Sequence, residues 1–360
     1  MTIKLPTQFS ILSLIFCLVG ICWLPAVFAD ESAGLVPEDY FDFVFVTDPQ
    51  VSPDNKQILF VQSIVKDDAS GRERQIFKIA EDGKVTEFTQ GTSDRSARWS
   101  PNGERVAFLR STESKTQVFV MPANGGESKQ LTSVEEGVSA FSWFPDNQKL
   151  LLTINTPPPG EADEQDGEDK GSENSRVKPD IVDVKNAKYI ANGSKYLNNK
   201  RKHLYLFDIA SKALTQLTIG DNWNANAPQI SADGKYVYFH ANKTGKEYEG
   251  NRNNDIFRIN LESKEIAALT KHPHAQFNAS LSADGSRMVF LNTEDTYEQT
   301  DLLLMSTNGS GSSKNLTAKF DRDASKALWS PDNKTLYFTA NDHGANRLFS
   351  VNIDDAGEGL

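Results

Sequence analysis

One short phrase recurs along this chain at nearly even intervals. It reads Ser-Pro-Asp-Asn at Ser52–Asn55, Ser-Pro-Asn-Gly at Ser100–Gly103 and Ser-Pro-Asp-Asn at Ser330–Asn333, each time followed by a strand-like run. Aligned on the third residue, the copies fall at Asp54, Asn102, Asp146, Asp233, Asp284 and Asp332, in steps of 48, 44, 87, 51 and 48 residues. A second marker lies about fourteen residues before most of them: Phe88-Thr89, Leu131-Thr132, Leu217-Thr218, Leu269-Thr270 and Leu316-Thr317. Self-similarity at such a period leaves few options, all of them repeat architectures.

The residues between the markers choose among those options. After one phrase comes the apolar run Arg105–Leu109, then a polar loop, then the alternating segment Gln117–Met121. Asn124-Gly125-Gly126 turns the chain into a short strand ending at Leu131-Thr132, and a loop leads on to Phe141–Trp143. Four short antiparallel strands in 40–50 residues make one β-propeller blade. Sustained 3.6-residue periodicity is nearly absent, so helices are scarce. The expected fold is all-β, a propeller of six or seven four-stranded blades whose set need not be complete.

The 87-residue step is a repeat with an insertion. Pro157 to Asp180 is rich in Pro, Gly and acids, a composition that buries no core, and it is expected as a mobile acidic loop at about 157–180. Beyond it, His203–Asp208 reads as the third strand of a blade that ends at Leu217-Thr218. The division of this region decides between six blades and seven.

The phrase itself is turn chemistry. Ser, Pro, Asp and Gly in that order favour a type I turn followed by a left-handed residue. Asn55, Asn147 and Asn333 stand where Gly would, and Ala232 and Ala283 replace Pro. These aspartates are expected to cap turns and not to bind metal, since a ligand set spread one per blade is too dispersed. The phrase is expected as a corner between blades. Trp99, Trp143 and Trp329, just before three of the turns, are expected in the core between adjacent blades.

The first 29 residues differ from the rest. Lys4 precedes an apolar run that ends at Val27-Phe28-Ala29 before Asp30-Glu31, the layout of a secretory signal peptide. An uncleaved membrane anchor is the alternative, and Pro25 favours removal. The domain expectation is therefore a signal at 1–29 and a propeller over 30–360. Both cysteines, Cys17 and Cys22, lie in the leading segment, with Phe16 and Ile21 too bulky for a lipid-attachment context. The mature chain would hold no disulfide, no thiolate metal site and no cysteine nucleophile. A periplasmic or secreted location is expected.

The formal net charge is −11, and loss of Lys4 would make it one unit more negative. That excludes nucleic acid as a partner class, because phosphate binding needs a basic face. It equally disfavours anionic lipid surfaces once the signal is removed.

Candidate chemistry is sparse. A Gly-x-Ser-x-Gly nucleophile elbow does not occur, and Gly309–Ser313 places its serines wrongly in a hairpin-like loop. His272 and His274 share spacing that puts two imidazoles on one side of an extended segment, without an identifiable third ligand. The acidic run Glu161–Asp169 lacks the register of a calcium loop. Asn192 and Asn278 open Asn-x-Ser/Thr triplets, relevant only in a glycosylating pathway. No catalytic, cofactor-binding or metal-binding residue is assigned, and no cofactor is expected.

The segments Val46–Val61, Ala97–Leu109, Gln117–Thr132, Gly137–Leu150 and His203–Thr218 together closely resemble the propeller of the prolyl oligopeptidase family, in its acylaminoacyl-peptidase-like branch. The resemblance runs from about Pro37 to about Ile353. The single turn phrase is shared with TolB-type propellers; the order of the phrases is more specific. The resemblance implies a propeller that covers an α/β-hydrolase domain and admits short peptides. That domain would carry a Ser nucleophile, then Asp, then His. The chain ends at Leu360 in what looks like the last repeat, so the hydrolase domain is expected to be missing or encoded separately, and no catalytic residue is carried over. Glu135-Glu136 suggests the family's peptide-amine anchors but sits in an ordinary inter-blade loop. The function expected is the substrate-gating part of a serine peptidase, inactive alone. The rival readings are a stand-alone TolB-like propeller that binds a protein, and a propeller enzyme with a site in its central channel.

Overall fold

The computed structural model describes residues 34, 36–113, 115–157, 190–191, 195–196, 200–246, 252–295 and 298–354. The expected signal at 1–29, the acidic run Glu161–Asp169 with nearly all of the insertion, and Asn192 lie outside the described residues. The chain divides into two compact units, 1–44 with 64–72 and 45–63 with 73–360.

Among the described residues the first unit holds one short 3-10 helix, Pro37–Asp42. Proline at its start and the Asp39 carboxylate, which accepts from the Val36 N–H at 2.9 Å, favour that beginning. The phenol oxygen of Tyr40 accepts from Arg72 at 3.0 Å.

The second unit carries nearly all of the strands; Val44, Ile64, Val65 and Arg72, at the ends of the first three, fall in the first unit. Blade one contains β1 (Val44–Val51), β2 (Ile58–Val65), β3 (Arg72–Ile79) and β4 (Val85–Glu87). Blade two contains β5 (Arg95–Trp99), β6 (Arg105–Thr112), β7 (Lys115–Pro122) and β8 (Lys129–Gln130). Blade three is β9 (Ala140–Trp143), β10 (Lys149–Thr156), β13 (Arg201–Asp208) and β14 (Leu214–Gln216), with the small pair β11 (Ile190–Ala191) and β12 (Lys195–Tyr196) between its middle strands in sequence. Blade four runs β15 (Asn226–Ile230), β16 (Tyr236–Ala241), β17 (Asp255–Asn260) and β18 (Ile266–Ala268). Blade five runs β19 (Gln276–Leu281), β20 (Arg287–Thr293), β21 (Thr300–Ser306) and β22 (Lys314–Asn315). Blade six has β23 (Ser325–Trp329), β24 (Thr335–Asp342) and β25 (Ala345–Asn352) among the described residues. Six turn phrases thus mark six blades. The long step is one blade, because β10 pairs directly with β13 over eight residues from Lys149↔Asp208 to Thr156↔Arg201.

Period-two alternation explains the second strands. Val106, Ala107, Phe108 and Leu109 are all buried. Val106 and Phe108 face blade one with Leu59 and Ile76, while Ala107 and Leu109 face blade three with Trp143 and Leu150. Leu150 and Leu152 likewise face blade two, and Leu151 faces blade four. A strand buried on both sides reads as an unbroken apolar run. Each of five clusters fills the gap between two consecutive blades.

The turn phrase stands corrected as a corner between blades. It joins the first strand to the second inside one blade, as at Ser100–Gly103 between β5 and β6. In every copy the backbone N–H of the fourth residue donates to the carbonyl of the first, as Gly103 to Ser100 at 2.8 Å. A turn that tight links only adjacent antiparallel strands, so both must share a sheet. The steps between blades are the longer loops after the Thr marker. The repeat boundary therefore moves by one strand, and Phe141–Trp143 opens the next blade.

The phrase's chemistry matches expectation. Ser52, Ser231, Ser282 and Ser330 donate to the Asp two residues on, at 2.5–2.6 Å, and Ser100 donates to Asn102 at 2.8 Å. The same hydroxyls accept a backbone N–H five residues on, as from Arg105 at 2.9 Å and Arg287 at 3.0 Å. Asn55, Asn147, Asn333, Gly103, Gly234 and Gly285 all take positive φ, between 58° and 72°.

The Thr marker has a matching cause. Thr132 Oγ1 accepts from the Val118 N–H at 2.9 Å and donates to Gln117 Oε1 at 2.8 Å. Thr317 does the same with the Leu302 N–H and Asp301, and Thr218 accepts from the Leu204 N–H at 2.8 Å. Each hydroxyl ties the end of a blade to its own third strand. The tryptophans tie blade to blade: Nε1 of Trp99, Trp143 and Trp329 donates to the carbonyls of Gln50, Arg98 and Ser280 in the preceding blade, at 3.0–3.2 Å.

Candidate functional site

The expected candidates come apart in the structure. Asp54, Asp233, Asp284 and Asp332 are committed to their own turns, and hydrogen bonds from the neighbouring Ser hold each below the usual carboxylate range. His272 Nδ1 accepts from the His274 N–H at 3.2 Å, its Nε2 lies 3.5 Å from Glu294, and the two rings stand 5.8 Å apart. No group of three His, Cys, Asp or Glu suited to a metal occurs among the described residues. Glu136 is engaged by Lys200 at 2.8 Å, with both side chains largely buried, while Glu135 is exposed. The two glutamates therefore do not act as a pair. Gly309–Ser313 forms the turn between β21 and β22.

Two of the clefts among the described residues bear on function. One, of about 690 Å³, lies between blades one and two. Of its two cations, Lys78 lies over the Phe88 ring and Arg110 is already engaged: Nε and Nη2 donate to the fully buried Asp94 at 2.6 and 2.8 Å, and the guanidinium lies over Phe119. That bond to Asp94 raises the Arg110 pKa. Arg110 and Asp94 thus form a packed structural pair in its wall.

The other cleft, of about 660 Å³, lies among blades four, five and six, and sequence reasoning missed it. Blade four contributes His240 near the end of β16 and the polar run Arg252, Asn253 and Asn254 before β17. The loop into blade five adds Pro273, His274 and Ala275, and β19 adds Phe277. Thr293, Glu298, Thr300 and Asp323 complete the wall on the side of blades five and six. All sit at the end that carries the loops between second and third strands and the loops between blades.

A strand irregularity sets the chemistry of this cleft. The first strands of blades two, four, five and six each break register, and Ser96, Ala227, Asn278 and Lys326 sit there with φ between 45° and 55°. Such bulges bend a strand and re-aim its groups. In blade five the bulge puts the Asn278 N–H 3.3 Å from His240 Nδ1. That nitrogen must accept, so Nε2 carries the proton and His240 is a neutral donor. Burial first, and Lys202 second, lower its pKa to about 4. Arg252 and Glu298 have no side-chain partner among the described residues and are exposed. Asp323 accepts from the Thr300 N–H at 2.7 Å.

Comparison with known proteins agrees with this architecture. Residues 192–356 match the family model of the TolB beta propeller domain. The relatives are peptidases. The chain is 28% identical to the uncharacterized peptidase YuxL of Bacillus subtilis over 226 residues, covering 62% of this chain and 33% of that protein. It is 25% identical to dipeptidyl-peptidase 5 of Porphyromonas endodontalis over 301 residues, covering 78% and 41%. The chain thus spans well under two thirds of the relatives it matches. Among solved structures, the acylaminoacyl peptidase of Pyrococcus horikoshii superposes with a TM-score of 0.65 at 15% identity, over 87% of this chain and 46% of that one. The β-propeller domain of the trilobed protease of Pyrococcus furiosus gives 0.57 at 15%, over 86% and 82%. At these identities the solved structures establish the fold.

Proposed function

We propose that this chain is the substrate-gating propeller of an exported serine peptidase of the acylaminoacyl-peptidase or dipeptidyl-peptidase kind. The observation that carries the reading is the 301-residue similarity to dipeptidyl-peptidase 5, which spans this propeller and only 41% of the relative. The nucleophile belongs to sequence other than these 360 residues, which contain no Gly-x-Ser-x-Gly elbow. In the complete enzyme a serine attacks the peptide carbonyl, a histidine takes its proton and backbone amides hold the oxyanion. The propeller selects short peptides for that site. Export follows from the layout of residues 1–29, and the periplasm is the compartment proposed.

The second reading is a TolB-like propeller that acts alone by binding a protein, and the match over 192–356 favours it. One experiment separates the two. The gene and its downstream sequence are expressed from the native start, the periplasmic fraction is treated with a fluorophosphonate label, and the mature N-terminus is sequenced. The peptidase reading expects a labelled species that includes this propeller and begins at Asp30. The isolated chain should turn over no chromogenic aminoacyl amide. Absence of label on any propeller-containing species overturns the reading, as does serine-reagent-sensitive turnover by the chain alone.

A further inference from the structure

We propose that the cleft among blades four, five and six binds short peptides with both ends free, holding the carboxylate against blade four and the ammonium against blades five and six. The cleft is polarised. Its blade-four wall offers the Arg252 guanidinium and the neutral His240 Nε2–H, with the carboxamides of Asn253 and Asn254 between them. The opposite wall offers two carboxylates, Glu298 and Asp323. A lone anion would meet those carboxylates, and a lone cation would meet Arg252. A ligand with separated charges of opposite sign satisfies both walls at once.

Two further observations favour a peptide among such ligands. The volume, about 660 Å³, falls within the range of small-ligand sites. Phe277 and Pro273 supply an apolar surface for a side chain between the two poles. The choice of peptides over other zwitterions rests on the peptidase reading.

Calorimetry on the full chain tests this with four probes: the dipeptide Ala-Phe, its N-acetyl form, its C-terminal amide and the doubly blocked form. Ala-Phe should bind best, and blocking either end should weaken it about tenfold, the scale of one lost charge-assisted hydrogen bond. R252Q should weaken Ala-Phe about tenfold and leave the C-terminal amide unchanged; E298Q should weaken Ala-Phe and leave the N-acetyl form unchanged. Both positions are exposed, and circular dichroism checks that each variant stays folded. No binding of Ala-Phe, or equal binding of all four probes, overturns the proposal. So does equal weakening of all four by either variant. Binding here without any fluorophosphonate-labelled species would overturn the peptidase reading alone, and label without binding would overturn this site alone.

Discussion

A threonine hydroxyl closes each of blades one to five onto its own third strand, and its worth follows from what it leaves behind when removed. Thr132 is 2% exposed and serves both the Val118 N–H and Gln117 Oε1. T132V keeps the shape and leaves the Val118 N–H without its acceptor in the interior, while Gln117 Oε1 keeps the Val134 N–H at 3.0 Å. The expected cost is about 1–3 kcal/mol in urea unfolding, against less than about 0.5 kcal/mol for a surface control such as T86V. Titration offers a second check at this scale. The Ser282 hydroxyl, then the Ser286 N–H and hydroxyl, lower the Asp284 pKa to about 2 from an ordinary 3.8. A carboxylate lowered on folding adds stability that is complete above 3.8 and lost as the pH falls through about 2. Wild type should therefore exceed D284N in urea midpoint near neutrality, and the two should converge as acid approaches pH 2; a constant gap refutes the assignment. The Leu-Thr marker was visible in the sequence as a repeat. Its partners were not, because the strand residue that meets each hydroxyl lies 15 or 16 positions away and differs in kind: Gln117, His203, Asp255 and Asp301.

At the scale of the element, the turn shows why Asn replaces Gly at some blades. Asn147 Oδ1 accepts from the Asn102 N–H at 2.9 Å, and Asn333 Oδ1 accepts from the Ala283 N–H at 2.7 Å. In both cases a turn holds the turn of the preceding blade. Arg105 and Arg287 reinforce the pairs by donating to the carbonyls of Asn147 and Asn333. N147G keeps the left-handed backbone, φ 58° in the native chain, and loses only the side-chain tie, about 0.5–1.5 kcal/mol. N147A loses the tie and also strains the backbone, about 1 kcal/mol more. Thermal unfolding should rank them wild type, N147G, N147A; a reversed order of the variants would show that the backbone conformation is not the constraint. The turn geometry was legible because its causes lie within five residues. The placement of the turn inside a blade was not, since the sequence shows a corner without showing which sheets it joins. The bulges at Ser96, Ala227, Asn278 and Lys326 left no signal either: nothing about Ser, Ala, Asn and Lys in common marks a left-handed position, and the crowding of neighbouring first strands accompanies it.

For the whole molecule, the repeat exposed the architecture and hid the cleft for the same reason. Period-two burial and even spacing recur in each blade, so six turn phrases could be counted from sequence, and the direct pairing of β10 with β13 decides for six blades over seven. The cleft depends on what does not recur: His240 near the end of β16 and Arg252, Glu298 and Asp323 in loops occupy no common position in the repeat. The long step shows how much such irregularity the frame tolerates. β10 and β13 pair over eight residues up to Thr156↔Arg201, so residues 157–200 leave and re-enter at neighbouring positions of one hairpin. Replacing residues 158–199 with Asn-Gly keeps that register and retains Lys200 for Glu136. The loop-closure penalty falls with length, so the shortened chain should unfold in one cooperative transition and gain up to about 2 kcal/mol. Denaturant unfolding followed by tryptophan fluorescence reads this directly, since Trp143 and Trp223 lie buried on either side of blade three. A split transition, or a loss of more than about 2 kcal/mol, would mean that the insertion contributes to the core of blade three and that the frame does not stand without it.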